Sequence, residues 1–329
     1  MSRFIPWIVL LGVSIAWGGA FTAIRYLVQY VSAEDLLVWR FIPTSIMVII
    51  LILGWHRKEF ARSLPRLWWL FLVLGALWLF GYHFTLNLGE TVLPAAPAGV
   101  IISTYPIFTV FLAAIFLGES LTKWKVAGGL IGFAGTALLM FAGGSGEGSG
   151  LDLSVGMWIK YSLITLIAPI IVAFHTIIIR PYLTGKGGRE PVSTFVINYG
   201  YMAPTGFMVL PLMHSGMVSD ATTFPVGFWL WLGFLVVLCT LLANIGYFWA
   251  LQRIEAGPVS ISTYLIPLFS IGYAHIFLGE SIGLYTWIAA FCIIVGVIIA
   301  GAGGRFTLPA AAQAIVTRLN GKNPPGRAG

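Results

Sequence analysis

Ile115-Phe116-Leu117-Gly118-Glu119-Ser120 and Ile276-Phe277-Leu278-Gly279-Glu280-Ser281 are one hexamer written twice, 161 positions apart. The same spacing aligns Pro97 with Pro258, Pro106 with Pro267, Phe108 with Phe269 and Gly135 with Gly296. Slightly upstream the spacing becomes 165, where Gly81-Tyr82 matches Gly246-Tyr247, Leu86 matches Leu251 and Glu90 matches Glu255. An identical hexamer flanked by ordered matches is the signature of an internal duplication.

The residues around the repeat set the solvent. Of 329 residues, 59% are hydrophobic and 9% charged, and the mean hydropathy is +0.94; soluble domains carry roughly 25% charge. Eleven acids and eighteen bases are too few to cover a soluble protein of this length. That excludes an ordinary soluble enzyme, a disordered chain and a nucleic-acid binder with a basic face. The net charge of +7 is expected on loops facing an anionic leaflet. Cys239 and Cys292 lie inside apolar runs and read as small buried hydrophobes, with no disulfide or zinc spacing.

A bilayer core takes about 20 apolar residues per helix. Ten stretches qualify: 5–24, 36–55, 67–86, 95–117, 124–142, 155–179, 193–213, 227–249, 259–278 and 284–303. The first follows Arg3 and is longer than a signal-peptide apolar core, so it is expected as a retained helix. With the N-terminus inside, fifteen of the eighteen bases fall on one side, which places both termini in the cytoplasm and the chain in a bacterial-type inner membrane. Arg25, Arg40 and Lys160 are left at outer helix ends, where they can snorkel; Arg40 or Lys160 could instead attract a substrate carboxylate.

The predicted fold is an all-α integral membrane protein: ten transmembrane helices forming two inverted five-helix repeats around a central cavity. Five is odd, so the second half must enter the membrane in the opposite sense, as in alternating-access transporters. The halves are 1–142 and 155–303, joined by a Gly-rich linker over 143–154 and followed by a cytoplasmic tail over 304–329.

Trp17-Gly18-Gly19, the proline-bearing fourth and ninth helices and the two LGES copies carry a resemblance to the drug/metabolite transporter superfamily, in particular its ten-helix EamA-type members. The resemblance spans about residues 5–303. The aromatic content and the segment Tyr82–Asn87 (YHFTLN) are most similar to the branch that exports aromatic amino acids. The resemblance implies that helices 1, 3, 4, 6, 8 and 9 surround the cavity, with helices 5 and 10 at the periphery.

The residues within the spans sharpen this picture. Tyr82 and His83 fall near the outer end of the third helix, and Tyr247 and Phe248 near the inner end of the eighth. They are gate candidates, closing the two ends in turn; the alternative is a pair of interfacial aromatic belts. Pro106 and Pro267 remove backbone hydrogen bonds. Gly99, Ser103, Pro106 and Ala113 share one helical face, mirrored by Ser260, Tyr264, Pro267 and Ala274, and both faces are expected toward the cavity, or else packed closely against neighbours. Pro169, Pro204 and Pro211 are expected to kink the sixth and seventh helices.

The polar or ionisable residues within the spans are Trp17, Arg40, His83, Asn87, Lys160, His175, Asn198, Asn244, Gln252 and His275. Such residues default to function. Trp17, Ser103, Pro106, His175, Asn244, Tyr264 and Pro267 are the cavity candidates, with Asn244 foremost because it shares a face with Tyr247. No Asp or Glu falls mid-span, which favours facilitated passage or coupling through His83 or His175. Glu119 and Glu280 each follow a glycine that can stop a helix and read as helix-end residues.

Few charges and many rings suit a neutral or zwitterionic small-molecule substrate with an apolar body. A phosphorylated substrate would need several converging bases. The expected function is export of aromatic or other neutral amphiphilic amino acids, with multidrug or quaternary-amine export as the alternative within the same fold. A lipid enzyme lacks a catalytic motif here, and a channel is less compatible with a duplicated single chain. No cofactor, metal or nucleic-acid partner is expected. Gly128, Gly132, Gly135, Gly296 and Gly301 give small-xxx-small spacing, read as packing within the chain, with a homodimer as the alternative to a monomer.

Overall fold

The computed structural model describes residues 5–117, 123–142, 154–185, 190–214, 217, 221–251 and 263–302. Among them every regular element is a helix. Helix α1 is Ile5–Leu27 and α2 is Ala33–Leu51, started by the Ser32 side chain, which accepts from the Asp35 N–H at 3.0 Å. A π turn, Ile52–His56, leads into α3, Arg57–Ala76. A second π stretch, Leu77–Phe84, runs into α4, Thr85–Glu90. Helices α5 (Ala95–Ile102), α6 (Tyr105–Leu117), α7 (Lys123–Ala142) and α8 (Val155–Thr184) follow. Then come α9 (Thr194–Met202), α10 (Thr205–Met208), α11 (Val226–Gly233), a third π stretch (Phe234–Leu242) and α12 (Ala243–Leu251). Helices α13 (Ile266–Leu278) and α14 (Leu284–Ala302) complete the fold.

Among the described residues four helical stretches are long and apolar enough to cross a membrane: Ile5–Leu27, Ala33–Glu90, Val155–Leu183 and Val226–Ala250. The second reverses direction at His56, whose backbone leaves the helical region at φ −117° and ψ 12°. Its far end returns to its start, since the Asn87 amide donates to the Ala33 carbonyl at 3.3 Å. The basic stretch 57–66, expected as a connecting loop, is instead the first turns of α3. It is helical because Pro65 is its sole helix breaker and the following apolar turns supply the anchor.

Prolines set the other breaks. The expected single helix 95–117 divides at Ser103–Thr104, one turn before Pro106 has no N–H to give. The expected span 193–213 is broken by Pro204 and Pro211 into α9, α10 and a 3₁₀ turn, Leu210–Leu212. Pro169 stays inside a continuous α8. Gly279 terminates α13 with φ +66°, the left-handed conformation that glycine adopts without strain, so the glycine of the second LGES copy does stop its helix. Gly118 and Glu119 of the first copy, Ser260 and Gln252, the linker 143–153 and the tail 303–329 lie outside the described residues.

The main core lies where α1, α5, α11, α13 and α14 meet, with Ile24, Leu27, Leu36, Val100, Ile101, Phe228, Ile271 and Ala274 all buried. Helix α14 lies along α7: a Cβ on Gly296 would run into the backbone of Gly128 and Gly132. That close approach is within the chain, as expected for the small-residue stripe. Outward, Ile46, Ile50, Trp68, Leu130, Phe133, Leu230, Phe277 and Phe291 are exposed apolar side chains. A surface of this kind matches lipid rather than water.

Candidate functional site

A cavity of ≈ 140 Å³ lies inside the bundle, where three elements that depart from regular α-helix converge. The π stretch 77–84 brings Trp78, Tyr82 and His83 to it, the π stretch 234–242 brings Cys239, and the break before α6 brings Ile102 and Tyr105. Helix α1 adds Trp17, Phe21 and Ile24; α8 adds Val172, His175 and Thr176; α9 adds Tyr201; α12 adds Asn244, Tyr247 and Phe248. π geometry shifts the hydrogen-bond register and turns side chains off the regular helical face.

The carbonyls of the 234–242 stretch are held from the side. The Trp17 indole N–H donates to the Cys239 carbonyl at 3.0 Å, and the Asn244 amide donates to the Thr240 carbonyl at 2.8 Å. The Cys239 thiol in turn donates to the Ala16 carbonyl at 3.1 Å. Helix α1 is thereby tied to the cavity wall on both sides of one peptide.

Arg40 is the charge of the site. It comes from α2 and is 3% exposed. Its Nε donates to the Thr240 hydroxyl at 2.9 Å, and that hydroxyl donates onward to the Leu235 carbonyl at 2.8 Å. Its Nη1 meets His83 Nδ1 at 3.2 Å. A guanidinium can only donate, so Nδ1 is the acceptor and the ring proton sits on Nε2. Among the described residues Arg40 forms no ion pair, and no carboxylate lines the cavity. This corrects its expected position at an outer helix end. Helix α2 begins at Ala33 rather than near residue 36, which carries Arg40 a turn deeper, and two neutral partners hold it there. Lys160 is exposed, with its ammonium 5.5 Å from the Tyr161 ring centre.

Around Arg40 stands a box of rings. Trp78 stacks on Tyr82 at 5.0 Å between centres, with His83 edge-on at 5.0 Å and His175 at 5.4 Å. Tyr201 meets His175 edge-on at 4.8 Å. Across the cavity Trp17 lies 5.2 Å from Tyr247, which contacts Phe248 at 5.8 Å. The indole N–H of Trp78 and the Nε2 atoms of His83 and His175 are buried with no hydrogen-bond partner among the described residues.

Of the residues singled out from sequence, Trp17, Tyr82, His83, His175, Asn244, Tyr247 and Phe248 line this one cavity. Ser103 is buried in the break after α5, its hydroxyl donating back to the Gly99 carbonyl at 2.8 Å. Pro267 is buried in the first turn of α13. The wall positions expected for Ser103 and Pro267 are held by their neighbours Ile102, Tyr105 and Ile266, because the helix break changes the facing of each segment. The side chains of Pro106 and Tyr264 lie outside the described residues. Sequence reasoning missed Trp78, Tyr105, Tyr201 and Thr240. Only Trp78 and Thr240 carried a signal, each being a polar handle in an apolar run.

At one end of the bundle a second polar cluster joins both halves of the chain. The Glu280 carboxylate accepts from the Ala95 N–H at 2.8 Å and the Ala96 N–H at 3.2 Å, capping α5 from the loop after α13. Its role as a helix-end residue therefore extends to a helix distant in sequence. Burial raises the Glu280 carboxyl above the ordinary carboxylate range, while the two N–H groups and the Arg25 guanidinium act against the rise. Arg25 donates through Nη1 to the carbonyls of Glu90 at 2.7 Å and Thr91 at 2.9 Å.

An all-helical chain with apolar outer faces and a ring-lined inner cavity defines a multi-pass membrane protein that handles a small molecule. The chain belongs to the EamA-like transporter family, whose family model matches residues 5–141 and 159–302. It is a transporter and not an enzyme. A protein of Streptantibioticus cattleyicolor named "Probable terminal-alkyne amino-acid exporter" is 29% identical over 83% of this chain and 85% of its own length. The "Aromatic amino acid exporter YddG" of Ancylobacter novellus is 40% identical over a shorter stretch, 21% of this chain and 24% of its own. A solved crystal structure covering 91% of this chain and 97% of its own superimposes with a TM-score of 0.60 at 22% identity, a likeness of fold.

Proposed function

We propose that this protein is a secondary transporter that exports amino acids across the inner membrane by alternating access, both termini facing the cytoplasm. One observation carries the reading: Arg40 is buried, unpaired with any carboxylate among the described residues, and faces a cavity walled by rings. A fixed cation in a low-dielectric wall seeks an anion, and a substrate carboxylate supplies it. The rings of Trp17, Trp78, Tyr82 and Tyr247 then cover the apolar side chain and face the ammonium group. Two relatives, one named as a probable amino-acid exporter and one as an aromatic amino acid exporter, support the same substrate class.

The cavity size favours amino acids over bulky drugs. At ≈ 140 Å³ it is smaller than the roughly 300 Å³ at which drug-sized sites begin. A quaternary amine would also meet Arg40 with like charge. Two inverted five-helix halves, 1–142 and 155–303, are supported by paired packing: α1 lies on α13 as α8 lies on α6, and α7 on α14. A π stretch interrupts each of the corresponding third and eighth spans, at different positions along them. Tyr82 with His83 and Tyr247 with Phe248 act as the two gates, opening in turn.

The test is a flux assay in liposomes with a panel of amino acids, with and without a proton gradient. Saturable flux of neutral amino acids with mutual competition is the expected result. Flux of quaternary amines with none of any amino acid would move the assignment to multidrug export.

A further inference from the structure

Glu90 ends α4 and is 0% exposed. Neither of its carboxylate oxygens has a hydrogen-bond partner among the described residues. The neighbouring donors are engaged elsewhere. Arg25 gives Nη1 to the backbone carbonyls of Glu90 and Thr91 rather than to the carboxylate, and the N–H groups of Ala95 and Ala96 go to Glu280. An ionised carboxylate buried without donors is the costliest state such a group can take.

The charged groups acting on Glu90 are Arg25 from α1, Arg40 from α2 and Glu280 from the loop before α14. The π stretch before α4 contributes Tyr82, and α5 carries no titratable side chain. Helix α8 meets α4 through Thr165, packed so closely on Gly89 that a Cβ there would clash. This end of the bundle is therefore sealed by both halves of the chain, with Glu90 between a cation and a second carboxylate.

We propose that Glu90 is a proton-binding site linked to closure of this end of the transporter. The carboxyl is protonated while α1, α4, α5 and the loop after α13 are packed together. When that end opens, water enters, the O–H bond breaks, the proton leaves to the water, and the carboxylate pairs with the Arg25 guanidinium. Closure takes the proton back. Proton concentration on that side then biases the conformational equilibrium toward the closed end. The inference rests on alternating access but not on the identity of the substrate.

The test is hydrogen exchange of the full chain in lipid nanodiscs across about pH 5 to 8, corrected for intrinsic exchange rates, following the peptide that spans 88–98. Wild-type protection should fall about tenfold or more as pH rises. Glu90→Gln, a permanent mimic of the protonated state, should stay protected throughout. Arg25→Gln should keep the transition and move its midpoint upward, since the opened carboxylate loses its cation. Equal protection across the range in wild type, the same transition in Glu90→Gln, or an unmoved midpoint in Arg25→Gln would each overturn the proposal. Amino-acid binding to the same samples by calorimetry reports on the substrate separately: its absence would remove the substrate assignment and leave the Glu90 readout standing.

Discussion

Arg40 and Glu90 are two charged side chains buried in the same apolar bundle, and their surroundings differ in kind. Arg40 has Thr240 and His83 as neutral partners and an open cavity before it. Among the described residues Glu90 has no partner for either oxygen, and it does not line the cavity that Arg40 faces. A cation half-satisfied beside a cavity is a site awaiting an anionic ligand. A carboxylate wholly unsatisfied within packing is a site for a proton. Charge in a membrane bundle is thus assigned by what its neighbours leave undone.

The largest expected effect comes from Arg40→Gln, which removes the anion partner. Substrate binding should weaken by about 2–5 kcal/mol, as measured for truncated buried charge pairs, while the protein still folds. Arg40→Lys should recover part of the loss, because an ammonium keeps the charge but not the fork. Calorimetry with an amino acid reads both. Equal binding by wild type and Arg40→Gln would break the comparison on its cationic side.

A smaller effect is expected far from both charges. Gly296→Val forces a side chain into the α7 backbone and should cost about 1–3 kcal/mol of stability by overpacking. A thermal melt in detergent should show the loss, with amino-acid affinity unchanged in the folded fraction. A parallel fall in affinity would mean that the peripheral pair is coupled to the cavity.

The sequence identified the solvent, the helical class and the family resemblance, because composition and a repeated hexamer do not depend on where a helix begins. It also drew attention to Trp17, Tyr82, His83, His175, Asn244, Tyr247 and Phe248, which gather at one cavity. The depth of Arg40 and the burial of Glu90 escaped it for one reason. A helix end misplaced by three or four residues moves a side chain by about 5 Å. With α2 started near residue 36 and the third span ended at 86, Arg40 read as a helix-end residue and Glu90 fell outside the spans, whereas α2 begins at Ala33 and α4 runs to Glu90. The breaks and π stretches were also beyond periodicity, since Ser103 and Tyr105 exchange roles once the helix divides.

Next in size, Thr240→Val deletes the hydroxyl that holds Arg40 Nε. Affinity should fall by about 1 kcal/mol, the usual net value of one hydrogen bond. Calorimetry on wild type and variant checks it, and no change would mean that His83 alone orients the guanidinium. Tyr82→Phe should have the smallest effect, since its ring still stacks on Trp78 and only a hydroxyl is lost; amino-acid affinity should move by less than about 1 kcal/mol. A larger change in the same binding assay would give the hydroxyl a direct role with substrate.

The most direct test of the central claim compares liposome flux of an aromatic amino acid with flux of the amine that lacks only its carboxylate. If Arg40 receives the carboxylate, the amino acid should show saturable flux and the amine should be carried at least about tenfold less well. Equal or faster flux of the amine would contradict the assignment.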